Sequence, residues 1–136
     1  GYQITTFLVG EEVKDVNCQA RYSHTGVDTT DHISMRVDNC LIDITATIET
    51  KIDENLIVYG EKGKITLPHS QWADECIFES IDGTKIIFSD NETQNGFVGE
   101  IQEVMECVRD GKKESSVVPH SLTINCSKVL DMITQK

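Results

Sequence analysis

Three features of the chain predict an α+β fold. Apolar and polar residues alternate over its first two thirds, two stripes of helical spacing follow, and no strand-helix-strand repeat occurs. The expected architecture is an open, predominantly antiparallel sheet with two helices packed on one face and the other face used for dimerisation.

Val16, Cys18, Ala20 and Tyr22 alternate with Asn17, Gln19 and Arg21, which reads as a strand with one buried face. Ile33, Met35 and Val37 repeat the pattern. A turn at Asp38-Asn39 leads into Ile42, Ile44, Ala46 and Ile48, with Asp43, Thr45, Thr47 and Glu49 on the opposite side, so this strand returns antiparallel. Asp53-Glu54-Asn55 turns the chain again. Strands are then expected over 56–59, 64–67, 76–81 and 85–89. Glu61-Lys62-Gly63 joins the first two, its glycine free to take positive φ, and Asp82-Gly83 joins the last two. Residues 89–96, rich in Asp, Asn, Glu, Thr, Gln and Gly, form the expected mobile loop.

The period then changes. Phe97, Ile101, Val104, Met105 and Val108 form a helical stripe that Gly111 ends as a C-terminal cap, and Leu122, Cys126, Val129, Leu130 and Ile133 form a second stripe after Pro119. Two amphipathic helices must lie on something, and the sheet is the surface available. Leu56-Ile57-Val58-Tyr59, Ile77-Phe78 and Ile86-Ile87-Phe88 place apolar residues on both sides of their strands. The second side therefore needs a cover, and another copy of the same sheet is the simplest one, predicting a homodimer.

With 136 residues the chain is read as one domain. Its net charge of −11, from 23 acidic and 12 basic residues, repels phosphate backbones, so no nucleic-acid partner is expected. No apolar run approaches the length of a membrane span, so no membrane association is expected either. Five cysteines without a Cys-x-x-Cys pair argue for a reducing, cytoplasmic setting. The triplets Asn91-Glu92-Thr93 and Asn125-Cys126-Ser127 then carry no glycan.

Metal chemistry lacks a ligand pattern: His24 and His32 are eight apart, while His69 and His120 are isolated. No Gly-x-Ser-x-Gly elbow occurs. Gly60-x-x-Gly63-Lys64 lacks both the Ser/Thr and the following helix of a phosphate loop, so it reads as a hairpin turn. A dinucleotide needs a glycine-rich turn opening a helix within a parallel unit, and none is present.

One ordered set of segments adds to this reading. The run Tyr59-Gly60-Glu61-Lys62-Gly63-Lys64-Ile65-Thr66-Leu67-Pro68, followed by Trp72, is preceded by Thr25-Gly26-Val27-Asp28. Gly96-Phe97-Val98-Gly99-Glu100-Ile101 and Val108-Arg109-Asp110-Gly111-Lys112 come after it. The set resembles the C-terminal domain of the Gfo/Idh/MocA family of NAD(P)-dependent oxidoreductases, in its dihydrodiol-dehydrogenase-like branch, over nearly the whole chain. The resemblance implies that the N-terminal Rossmann domain and the catalytic lysine lie on other polypeptide, so no cofactor is expected in this segment and NAD or NADP in the parent protein.

Gly1-Tyr2 resembles the tail of the family's Asp-x-Gly-x-Tyr/His motif, so Tyr2 is the implied acid/base residue, giving or taking the proton of a substrate hydroxyl. The resemblance likewise implies that Arg21 offers a basic side chain to the pocket and that Trp72 and Phe97 wall the substrate, with ordinary packing as the competing role for both aromatics. Glu100 matches a family glutamate, and its place in the first turn of a helix suits a structural role at the positive end of the dipole. Gln71 stands where the family often has phenylalanine before the tryptophan, which bears on pocket shape.

The expectation is thus a C-terminal substrate-binding and oligomerisation domain of a longer oxidoreductase acting on a sugar, polyol or cyclic diol. It supplies pocket wall and dimer interface and is inactive alone. A stand-alone ligand-binding or oligomerisation module without redox activity is the competing reading. An opening on Gly1 inside a motif, rather than on methionine, favours the first.

Overall fold

The computed structural model describes residues 2–10, 12–93 and 95–134. In chain order the elements are α1 (Tyr2–Val9), β1 (Val13–Tyr22), β2 (Asp28–Val37), β3 (Cys40–Thr47), β4 (Leu56–Gly60), β5 (Gly63–Leu67), β6 (Glu75–Ser80), β7 (Lys85–Ser89), α2 (Phe97–Arg109) and α3 (His120–Thr134). The fold class is α+β, as the patterning predicts. Every strand pair is antiparallel, and the strands form two sheets, β1-β2-β3 and β4-β5-β6-β7, where one was expected. The chain divides into two compact units, Gly1–Lys51 with Gly111–Lys136, and Ile52–Asp110.

In the first unit the register sets Cys18 opposite Ile33 and Ile33 opposite Ile44, and next to them Met35 opposite Ile42. These side chains share one face. Met35 and Val37 are buried there, and α3, which packs against β1 and α1, buries Leu122 and Val129, seven residues apart on one stripe. Helix α3 starts where the Glu114 carboxylate accepts the His120 N–H at 2.7 Å, a side-chain cap at the positive end of the helix.

The opposite face of this sheet is polar. Arg21, Thr30 and Thr47 form one cross-strand row, with the Thr30 and Thr47 hydroxyls 2.8 Å apart, and Gln19, His32 and Thr45 form the next, with His32 Nδ1 3.2 Å from Thr45 Oγ1. Between Lys14 and Asn17 the register slips and Asp15 takes φ +53°, a bulge whose effect is to bring its carboxylate to Arg36 on the neighbouring strand. Arg36 Nε donates to Asp15 Oδ2 at 2.8 Å, and Nη2 donates to the same oxygen.

No sequence pattern announces helix α1. Ile4, Thr5, Thr6 and Val9 are β-branched and weaken its local helix preference. Tertiary contact supplies what propensity lacks: Thr6 is buried and α1 touches α3. Gly10, at φ +105°, ends the helix by donating to the Thr6 carbonyl at 2.9 Å.

In the second unit each strand pairs with the next in sequence. Val58, Ile65, Phe78 and Ile86 form a row across all four strands, flanked on the same face by Leu67 and Phe88. The other face mixes a row of Ile57, Thr66, Ile77 and Ile87 with a row of Tyr59, Lys64, Glu79 and Lys85, in which Lys64 Nζ lies 2.9 Å from Glu79 Oε2. That pair holds the Glu79 carboxyl below, and the Lys64 ammonium above, its ordinary range.

The Asp82-Gly83 hairpin closes as expected, with Gly83 at φ +89° and the Thr84 N–H donating to Asp82 Oδ1 at 2.9 Å. That bond comes first among the contacts that hold the Asp82 carboxyl below the usual range. Gly111, at φ +67°, follows the last turn of α2, whose apolar stripe has the spacing expected. The stripe is not covered: α2 buries no residue, and among the described residues of this unit none is fully buried.

Candidate functional site

The site is built from two connections at one end of the four-stranded sheet. After β5, Pro68 and His69 turn the chain, His69 at φ +50°. The Ser70 N–H donates to the Glu54 carbonyl and the Trp72 N–H to the His69 carbonyl, each at 2.7 Å, so the tryptophan sits at the end of a closed turn. On the other connection the Asp90 N–H reaches the Asp74 carbonyl at 2.7 Å, continuing the β6–β7 pairing one step beyond Glu75 and Ser89. Asp90 Oδ1 then accepts the N–H groups of Glu92 and Thr93 at 2.9 and 3.0 Å, and Asn95 Oδ1 accepts that of Phe97 at 3.0 Å where α2 begins. Short polar side chains thus turn the chain by bonding their own downstream backbone.

These two connections bring Trp72 and Phe97 together. Their ring centroids are 6.3 Å apart with planes at 73°, an edge-to-face pair. Both rings nonetheless face solvent, Trp72 at 65 % and Phe97 at 55 % exposure. Two aromatic faces set near a right angle and wet on their outer sides can take the apolar face of a sugar or diol ring, with the indole N–H free to orient toward a hydroxyl. The Thr93 hydroxyl, with the Glu92 and Thr93 N–H groups behind it, holds the Asp90 carboxyl below the usual carboxylate range.

Arg21 and Tyr2 belong to the other unit. Arg21 stands on the polar face of the three-stranded sheet, its Nη1 3.1 Å from Glu49 Oε2. Glu49 also accepts from the Thr30 hydroxyl at 3.4 Å, so the guanidinium is held in an exposed network. Tyr2 opens α1, and its side chain lies outside the described residues. Glu100 occupies the first turn of α2 as expected.

The sequence reading missed Asp90 and Asn95, the groups that aim Phe97. An Asp two and three residues before the N–H groups it binds, and an Asn just before a helical stripe, were the available signals. It also missed a carboxylate pair on β2: burial first, and then the hydrogen bond and charge of Asp28, push the Asp31 carboxyl up.

At α2 the Phe97 N–H is taken by Asn95, and at α3 the His120 N–H is taken by the anionic Glu114. Gly26, Gly63 and Gly83, the positive-φ glycines of the strand connections, all lie in hairpins rather than in strand-to-helix turns. Among the described residues no three His, Cys, Asp or Glu side chains gather as a metal site, and no helix is long and apolar enough to cross a membrane. None of the five cysteines is in a disulfide.

No protein-family model matches the chain, and no curated protein matches it.

Proposed function

We propose that this chain is the substrate-binding and dimerising part of an NAD(P)-dependent oxidoreductase of the Gfo/Idh/MocA type, acting on a sugar, polyol or cyclic diol. The observation that carries the reading is the wet edge-to-face pair of Trp72 and Phe97. A large exposed indole held by a closed turn against a second ring is poorly explained by core packing and well suited to a ring-shaped ligand. The hydride chemistry is assigned, on the family resemblance, to a nicotinamide held by other polypeptide. Tyr2 is assigned proton transfer and Arg21 the orientation of substrate oxygens, both on the family resemblance.

The dimer is assigned to the face bearing Val58, Ile65, Phe78 and Ile86, whose row runs across four strands without a charge. Withdrawing such side chains from water contributes about 1.5–3 kcal/mol each at full burial. The absence of any fully buried residue among those described in this unit supports a core completed by a second molecule.

Trp72 is the single tryptophan, so its emission reports the corner directly. Titration with D-xylose, myo-inositol and trans-cyclohexane-1,2-diol should give a saturable change with at least one of them. Silence with all three overturns the pocket. Calorimetry separates the redox reading from a ligand-binding module: saturable NAD(H) or NADP(H) binding by this segment alone contradicts the division of labour proposed.

A further inference from the structure

We infer that β3 is a strand-addition site, at which two copies of this chain join β3 to β3 antiparallel and turn two three-stranded sheets into one continuous sheet. The inference concerns the other unit, and a different surface from the sheet face assigned above. It stands whether or not the redox reading does.

The edges of the two sheets are not alike. β1 is broken by register slips at Lys14/Asn17 and Arg21/Tyr22, and α3 packs against it. β4 and β7 run for only 5 residues each, β4 ending on Gly60 and β7 opening on Lys85. β3 runs for 8 residues, with an unbroken register against β2 and without glycine, proline, lysine or bulge. It carries none of the devices that keep an edge from pairing.

The end of β3 fixes which of its backbone groups are open. The Ile48 N–H donates to the Thr29 carbonyl at 3.0 Å, one step beyond the Thr30–Thr47 pair. Bonded pairs alternate along an antiparallel ladder, so Ile42, Ile44 and Ala46 turn their N–H and C=O groups toward β2. Leu41, Asp43, Thr45 and Thr47 turn theirs outward, and among the described residues no strand lies there to take them.

A second copy answers this pattern. With Ile44 opposite the partner's Ile44, Leu41 falls opposite the partner's Thr47 and Asp43 opposite the partner's Thr45. Every outward residue then sits in a hydrogen-bonded pair, about eight bonds in all. The apolar row of Cys18, Ile33 and Ile44 runs on into its twin, with Ile42 facing the partner's Ala46. On the polar side Leu41, left 82 % exposed in the single chain, is partly covered. Asp43 is the one charge on the strand, and in this register it meets a threonine. Sliding by two residues loses one of the pairs, and in one direction sets Asp43 opposite the partner's Asp43. The strand therefore specifies one register with itself.

An edge joins less side-chain surface than a face, so this pairing belongs above the tens of micromolar at which the face dimer is expected. Phe88→Glu, which disables that face, isolates it. The test is amide exchange of this variant, followed residue by residue by NMR at about 50 µM and about 1 mM. At the higher concentration exchange at Leu41, Asp43, Thr45 and Thr47 should slow about 3-fold or more, with a smaller change at Ile42, Ile44 and Ala46, and sedimentation should show a dimer. Thr45→Pro removes an outward N–H and none of the β2–β3 bonds, so adding it should abolish both changes. No slowing, equal slowing of the two sets, or undiminished association with Thr45→Pro overturns the inference. Full protection at the lower concentration in a monomer would show the edge covered within one chain, and equal slowing by an unrelated extended peptide would assign it to peptides; either also overturns it. If the proline variant does not fold, the alternation in exchange decides.

Discussion

The Cα of Gly63 lies so close to β6 that a Cβ built on it would stand 2.2 Å from the carbonyl oxygen of Glu79. With φ at +149° the position is also one that side chains rarely adopt. Both obstacles are backbone, which cannot rotate away. Gly63→Ala should therefore destabilise the second unit by about 3 kcal/mol or more, read as a lower urea midpoint. An unchanged midpoint would show that the β4–β5 turn is not held as described.

Thr47 should show the value of one hydroxyl. Its Oγ1 meets Thr30 Oγ1 at 2.8 Å, donates to the Thr29 carbonyl at 3.3 Å and accepts the Glu49 N–H at 3.1 Å. Thr47→Val keeps the branched shape and removes these bonds in a half-buried place. A loss of about 1 kcal/mol in chemical denaturation is expected.

Asp31 sets a pH dependence of defined sign. Its folded carboxyl titrates above the ordinary aspartate range, so the folded state holds more protons than the unfolded state between the two values. Stability is then full below the ordinary aspartate value and falls as pH rises through the raised one. Asp31→Asn removes this loss. The variant should gain on the wild type at neutral pH, and the gain should vanish in acid, measured as urea midpoints at both.

Asp82 and Asp90 act in the opposite sense. Both are lowered by donors in their own turns, so their contribution is present at neutral pH and fades as pH falls through their depressed values. Comparison of Asp31→Asn with Asp90→Asn across pH should give slopes of opposite sign.

Phe97→Ala removes one wall of the corner and leaves Trp72 as reporter. The edge-to-face pair is worth about 0.5–1.5 kcal/mol beyond its area. Near-ultraviolet dichroism of Trp72 should weaken, and half-saturation by any ligand that the wild type binds should rise several-fold. Retention of both signals would make Phe97 a bystander.

Phe88 addresses the proposed dimer, since it lies beside the Val58–Ile86 row and is 60 % exposed. The wild type should sediment as a dimer at tens of micromolar and Phe88→Glu as a monomer, because a carboxylate cannot enter an apolar interface unpaired. A monomeric wild type removes the dimer.

Much of the fold was legible because strand alternation is a local signal. Cys18, Ile33 and Ile44 announce their shared face two residues at a time, and Asp82-Gly83 and Gly111 carry their turn and cap in the side chain or its absence. What the sequence hid depends on longer range. Eight residues separate Thr47 from Leu56, too many for a tight hairpin, and here the single expected sheet gives way to two. The stripe of α2 shows that a face is apolar but not what, if anything, lies on it. At the site, Trp72 and Phe97 were each visible. Their meeting depends on hydrogen bonds at Glu54, Asp74, Asp90 and Asn95, which no periodicity encodes.

Among the described residues the fully interior side chains, Thr6, Met35, Val37, Leu122 and Val129, all belong to the first unit. Amide deuteration should accordingly run at two paces. The middle of β2 should open only with the whole unit, while β4 and β7 take up label through cheap local excursions, and association of two copies should slow the second pace far more than the first.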